Sequence, residues 1–449
     1  MKAGFAKIDI TPRVGVELCG YGAYLNRHST VVHDPLSARA MAMQVDDGPV
    51  TILIACDVIG IAPTTTAAVR SRLASTLGIA PANVMITCSH THSGPAPGLY
   101  TGWGETDIPY IATLPQRLTT AAITAVERLQ PARLSHAITP CTGMGYNREY
   151  DVRPSLAECL QPGWQPAKPE LTDTVAHAMR IDSTDGRPLG FISYFGCHPV
   201  IGGSRNTEIH GDFAGLATNR LEAEFGDGVV GLFLQGAQGD INSCSVHHGP
   251  EESIRALDIL SDRYADAIRV GLQAASPVDV QTIAGVQHQE TFCVQAVERA
   301  AIESMLAEKR SHFDSLDLTD LRRQHDHDLH LDLVYIHGLE TILGRADRGE
   351  SQDITTELHG LRIGPISLLG SGFEIFQAIR NEAIEEMQSE IPLVVTFANT
   401  STGYAVDRDT TVRGGYAASQ VPYMLRHLPF AAIHDELVAA LRRLDRALT

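Results

Sequence analysis

Four apolar stretches of this chain each end in side chains able to do acid–base or metal chemistry. Val50–Cys56 (VTILIAC) runs into Asp57, and Val84–Cys88 (VMITC) runs into Ser89-His90-Thr91-His92-Ser93-Gly94-Pro95. Phe191–Cys197 (FISYFGC) runs into His198-Pro199, and Val229–Leu234 (VVGLFL) runs into the Gln235–Asn242 stretch, QGAQGDIN. Zinc takes N, O or S ligands, three or four from the protein. Two strand ends that each carry histidine begin such a set. A single histidine is more often a satisfied core or surface residue, but here two strand ends share the feature, with Gly or Pro nearby that lets backbone approach a ligand. One member of the His90/His92 pair would bind the metal while the other faces a substrate.

The elements that must hold these groups read as α/β over the first 245 residues. Continuous apolar runs suit strands buried on both faces. Thr64–Leu77, between the first two runs, has helical spacing and stops before Gly78, giving a strand–helix–strand unit. Phe213–Phe225 carries a second helical pattern. In Ser253–Leu272, Ile254, Leu257, Leu260, Tyr264 and Ile268 recur at helical steps. From Val294 to about Arg345 the sequence turns helical and charged, a helical hairpin with its turn near Ser315–Thr319. Glu357–Leu369 reads as a β-hairpin turning at Gly364-Pro365, Phe373–Met387 as a helix, Leu393–Ala398 as a strand and His434–Leu448 as a helix. Ligands of α/β folds bind beyond the carboxyl ends of strands, which is where the reactive residues fall.

The chain has 449 residues, 44% hydrophobic and 20% charged, with a net charge of -18. That acidity excludes nucleic acid and anionic membrane surfaces as expected partners, because both select basic patches. No apolar run reaches the roughly 18 residues of a membrane span, and MKAGFAKIDITPRVG does not read as a signal peptide. The eight cysteines are scattered without a C-x-x-C pair. They read as free thiols in a reducing compartment, so the expected location is cytoplasmic.

These residues resemble a known family. Ser89–Pro95 (SHTHSGP) resembles the T-H-T-H-S-G-P signature of the neutral/alkaline non-lysosomal ceramidases. The likeness continues in order over roughly residues 1–425. Lys7–Thr11 with Gly20-Tyr21 resembles K-A-D-I-T…G-Y, and Asn147-Arg148 resembles N-R. Ser193–Phe195 leading to His198 resembles S-W-F-x-V-H. Gly211–Gly215 resembles the D-N-K-G stretch, and Asn399–Tyr404 resembles N-x-x-x-G-Y.

The resemblance implies mixed β-sheets flanked by helices, formed by residues 1–449 as a single catalytic domain. A helical insertion is expected at about 295–345, and no C-terminal immunoglobulin-like domain is expected. It implies one zinc per chain, held by His90, His198, Glu374 and Tyr404. His92 would contact the substrate carbonyl or the attacking water, and Arg148 would orient the substrate. Two positions depart from the family. Its P-G-E-F is Ser371-Gly372-Phe373-Glu374 here, with the acid offset by one. Its G-D-x-S-P-N is Gly239-Asp240-Ile241-Asn242-Ser243, so Asn242 takes the place of a serine. Asparagine is no nucleophile but can donate to an oxyanion; Ser243 would point elsewhere on an extended chain.

The expected activity is zinc-dependent hydrolysis of an N-acyl amide, on a small or lipid-like acyl substrate shorter or more polar than ceramide. An ester, lactone or other polar substrate stays open, as does a silent ligand-binding relative, and so does homo-oligomerisation. His92 is the expected general acid–base, with Tyr404 and Asn242 able to stabilise an oxyanion. Asp57 or Asp240 would orient an imidazole or cap a turn, Asp212 would cap the helix near Phe213, and His210 would lie close by. His325-Asp326-His327-Asp328-Leu329-His330 and His247-His248 read as a solvated helix face and a pocket rim.

Overall fold

The computed structural model describes residues 1–315 and 327–449, excepting the side chains of 327–329. Its centre is a nine-stranded sheet. In spatial order the strands are Val230–Gln235, Pro188–Phe195, Val175–Ser183, Gln130–Pro140, Lys2–Asp9, Ser37–Gln44, Thr51–Cys56 and Val84–Cys88, with Ser276–Val278 beside Gln130–Pro140. The pairs at both ends of this order are parallel and the strands between them antiparallel. A four-stranded sheet follows: Ile283–Phe292, Ile354–Ile363, Ile366–Ser371 and Ile391–Val395.

The continuous apolar runs have a direct cause. Successive side chains of a strand alternate between faces, and here both faces are covered. Met41, Met43, Leu53 and Met85 enter a core shared with Leu361, Ile366, Leu368 and Val395 of the four-stranded sheet. Their neighbours Ala40, Ala42, Ile52, Ile54 and Ile86 pack on the opposite face against helices Pro63–Leu77 and Ile108–Glu127. Helices Asp212–Phe225 and Pro250–Ala274 cover the other half of the large sheet. Gln377–Glu385 and Ile433–Leu448 cover the outer face of the smaller one. The molecule is therefore layered: helices, sheet, sheet, helices. Burying large apolar areas on both sides of a strand fixes its position, which a site at its end requires.

A cation is sunk in the centre of this packing. Arg39, on the strand Ser37–Gln44, pairs with Asp57 (2.6 Å) and with Glu222 of the helix Asp212–Phe225 (2.9 Å). Burial opposes its charge, but the two carboxylates hold the guanidinium protonated.

One expectation changes. Phe373–Met387 is not one helix. Phe373–Ile375 forms a short strand parallel to Gly403–Ala405, and the helix begins at Gln377. The reason is a period of two: Phe373 and Ile375 go into the core while Glu374 faces away from it into a cavity. This pairing sets Glu374 opposite Tyr404. The helical hairpin is present as Arg299–Asp314 and His327–Asp347, packed through Ile302, Leu306, Leu339 and Ile342. Its turn, from residue 316 on, lies outside the described residues, as do His325 and Asp326 and the side chains of 327–329. His330, on the same helix, sits 5.5 Å from the Tyr24 ring, centroid to centroid.

Candidate metal centre

The chain leaves the strand Val84–Cys88 and turns sharply at His90, where φ is 67°. Such a left-handed backbone is costly for a non-glycine residue and persists only where surrounding bonds impose it. Here the His90 amide donates to Val58 O (3.0 Å), and the imidazole stacks on Phe397 with centroids 3.9 Å apart. His90 Nδ1 lies 2.7 Å from Ile59 O. A carbonyl can only accept, so Nδ1 carries the proton and Nε2 presents its lone pair.

His198 is held in the same way. Its amide donates to Ile241 O (2.9 Å), and its Nδ1 lies 2.6 Å from Gln238 O. Its Nε2 lone pair is therefore also free. The two strand ends are tied by Gln235, whose buried amide donates to Ser89 O (3.2 Å) and Cys197 O (2.9 Å).

These two lone pairs meet a third acceptor. Glu374 Oε2 lies 3.0 Å from His198 Nε2 and 3.6 Å from His90 Nε2. Burial alone would raise the Glu374 carboxyl, but the neighbouring His90, His198 and Arg148 hold it at about 2. Burial pushes His90 down to about 4. Three acceptors facing one another repel unless a cation lies among them. Ligands about 2.05 Å from a tetrahedral zinc stand about 3.3 Å apart, which matches the observed spacings. The donor set fits a divalent ion.

His92 joins from the same loop. Its Nε2 is 3.1 Å from His90 Nε2, and its Nδ1 is sealed from solvent without a hydrogen-bond partner. His90, His92 and His198 have ligand atoms within 4.8 Å of one another. Burial first, then His90 and His198, keep the His92 imidazole well below its ordinary value and so neutral. Buried Arg27 fixes this loop, donating to His92 O (2.9 Å) and Cys19 O (2.6 Å). Tyr21 meets the His92 ring edge-on at 4.9 Å.

Arg148, Asn242 and Tyr404 complete the walls. Arg148 N donates to Asp240 O (2.8 Å), its Nη1 reaches Asn242 Oδ1 at 3.4 Å, and its guanidinium lies 5.2 Å from the centre of the Tyr404 ring. Burial raises the Tyr404 phenol, so it stays protonated in this structure. All seven residues singled out in the sequence line one cavity of about 360 Å³. The same cavity takes in Tyr21, Tyr100, Trp103, Leu331, Tyr416, Gln420, Val421, Met424 and Leu425, for which the sequence offered no spacing signal beyond Tyr21.

Other expectations resolve differently. Asp57 and Asp240 do not orient the imidazoles. Asp57 is engaged by Arg39 and the Ser37 amide, and Asp240 by the Asn147 side chain (2.8 Å) and the Gln377 amide (2.9 Å). Backbone carbonyls do that work, and they leave no mark in side-chain patterns. Asp212 opens its helix, with Oδ1 accepting from Phe213 N and Oδ2 from Gly202 N. His210 sits behind the site, bonded to the Asp212 amide and Asn206, and does not line the cavity. Ser243 turns away and donates to His198 O. His247 does form part of the cavity wall.

The family model for neutral/alkaline non-lysosomal ceramidase, N-terminal, matches residues 1–250. The chain belongs to this family. Neutral ceramidase B of Dictyostelium discoideum is 27% identical over 176 residues, covering 36% of this chain and 24% of that protein. The match thus spans about a quarter of that relative's length. The neutral ceramidase of Pseudomonas aeruginosa superposes with a TM-score of 0.72 at 17% identity, covering 100% of this chain and 75% of that one. A ceramidase complexed with C2 gives the same values. At this identity the superposition speaks for the fold. Within the ceramidase family, then, this chain has mixed sheets flanked by helices and a buried three-histidine group able to bind a metal ion.

Proposed function

We propose that this chain is a zinc-dependent amidohydrolase cleaving N-acyl amides, with residues 1–449 acting as one catalytic unit into which the helical hairpin is inserted. The observation that carries the proposal is the convergence of His90 Nε2, His198 Nε2 and Glu374 Oε2 while both Nδ1 atoms are spent on carbonyls. Nitrogen and carboxylate donors in this number suit zinc. His90, His198 and Glu374 would hold it, with Tyr404 as the fourth ligand. The ion supplies an activated water and polarises the acyl carbonyl.

The remaining steps belong to the side chains. Neutral His92 accepts the proton of the attacking water at Nε2 and passes it to the departing nitrogen. The water oxygen bonds to the carbonyl carbon, the C–N bond breaks, and a carboxylate and a free amine result. Asn242 has its Oδ1 turned to Arg148, so its amide N–H serves as an oxyanion donor where the family motif has serine. When it leaves the ion, Tyr404 would donate its protonated phenol to the same oxygen.

Zinc-loaded protein assayed on N-acyl amides and matching esters tests this reading. Amide turnover that a chelator abolishes and zinc restores is expected. Cleavage of esters alone would remove the amidase assignment and favour the ester or lactone reading that Asn242 motivates.

A further inference from the structure

The cavity contains a buried cation that the protein leaves incompletely satisfied. Arg148 is held charged despite its burial, with Tyr404 and Glu374 nearby. Its Nη1 makes one long hydrogen bond to Asn242 (3.4 Å), and its Nη2 is sealed from solvent with no hydrogen-bond partner. Other buried arginines of this fold meet acids or backbone carbonyls, Arg27 donating to Cys19 O and His92 O. Arg39 has Asp57 and Glu222, and Arg70 has Glu357 at 2.8 Å. Among the described residues lining the cavity, Glu374 is the only carboxylate, and it faces the imidazoles at 3.0 and 3.6 Å. A divalent ion among those ligands would leave the cavity with excess positive charge. A buried, unpaired charge is costly, so a ligand that brings an anion to Arg148 relieves what the protein alone does not. Guanidinium and carboxylate are matched in shape, two N–H groups to two oxygens.

The rest of the cavity limits what that ligand can be. A volume of about 360 Å³ lies at the small end of the range for small-molecule sites, about 300–1,000 Å³. Its apolar wall is formed by Ile59, Trp103, Leu331, Val421 and Met424. An acyl group of a few carbons fits that wall.

Building on the amidohydrolase reading, we propose that the preferred substrates are short-chain N-acyl amino acids, with Arg148 binding the carboxylate of the amine half while the acyl chain lies against the apolar wall. Arg148 is then the residue that determines specificity between charged and neutral amides.

The test compares two probes of equal size, N-hexanoylglycine and its neutral amide, N-hexanoylglycinamide. Binding to the zinc-loaded protein is measured by calorimetry and turnover by release of glycine or glycinamide. A charged hydrogen bond is worth enough for at least ~10-fold tighter binding of the acid. That preference should vanish in Arg148→Gln and persist in part in Arg148→Lys, with circular dichroism confirming that both variants are folded. Equal binding of the two probes to the parent protein overturns the proposal, as does failure of the acid to bind, or a preference that survives Arg148→Gln. The two readings fail separately. Arg148-dependent binding of the acid without cleavage would sustain the carboxylate site and defeat the amidohydrolase. Cleavage of both probes without preference would do the reverse.

Discussion

His90 adopts a backbone conformation that few non-glycine residues tolerate, and Gly20, packed against His92, adopts one that suits glycine. Gly20 has φ of 104°, and a Cβ there would lie 2.4 Å from His92 Nδ1. Gly20→Ala would therefore strain the backbone and push the His92 ring aside. We expect a loss of about 1–3 kcal/mol in stability and a fall in kcat on the order of 100-fold from the misplaced imidazole. Zinc content should be unchanged, because Gly20 touches none of the expected ligands. Denaturant unfolding, kcat and metal analysis on one preparation check all three. At this scale the sequence was legible in its polar residues. His90, His92 and His198 stood out because imidazoles at the ends of apolar runs are conspicuous. The atoms that fix their tautomers, Ile59 O and Gln238 O, are backbone and have no residue type to announce them.

Among the elements, the strands that carry the histidines were readable from apolar runs alone, since both of their faces are buried. The strand that carries Glu374 was not. It has three residues, and its Phe-Glu-Ile pattern sits directly before a helix. Its conformation is imposed by pairing with Gly403–Ala405, about thirty residues downstream, and local periodicity cannot report that. Gln235 plays a comparable long-range part by bridging the two histidine loops. Gln235→Leu keeps most of the volume and removes both bridges. Outer-shell changes of this kind typically cost about 10–100-fold in metal affinity, and a competition titration against a zinc chelator should show a loss of that size. An unchanged affinity would mean that the sheet alone sets the spacing of the histidines.

Across the whole molecule, layered packing buries acids as well as apolar groups, and this gives stability a pH dependence. Burial pushes the carboxyls of Asp212 and Asp240 up to about 7, from an ordinary 3.8. Between those limits the folded chain binds more protons at these two sites than the unfolded chain does. Their contribution is fully present below about pH 4 and is lost as pH rises towards 7, by at most about 1.4 kcal/mol per pH unit for each group. Urea unfolding at intervals from pH 4 to 7 should show this descending component, reduced in Asp240→Asn relative to the parent. An identical pH profile in that variant would count against it. The layered fold was only partly legible beforehand. Strands and helices could be read one at a time, but the stacking of the four-stranded sheet on the nine-stranded one depends on contacts far apart in the chain.

The central claim is that one cation sits where His90, His198 and Glu374 converge. Zinc K-edge X-ray absorption on protein loaded with one equivalent of metal tests it most directly. The account predicts one tightly held ion per chain, with nitrogen and oxygen neighbours at about 2.0–2.1 Å, at least two of them imidazoles. Absence of bound zinc, or sulfur scattering at about 2.3 Å from cysteine ligation, would contradict it.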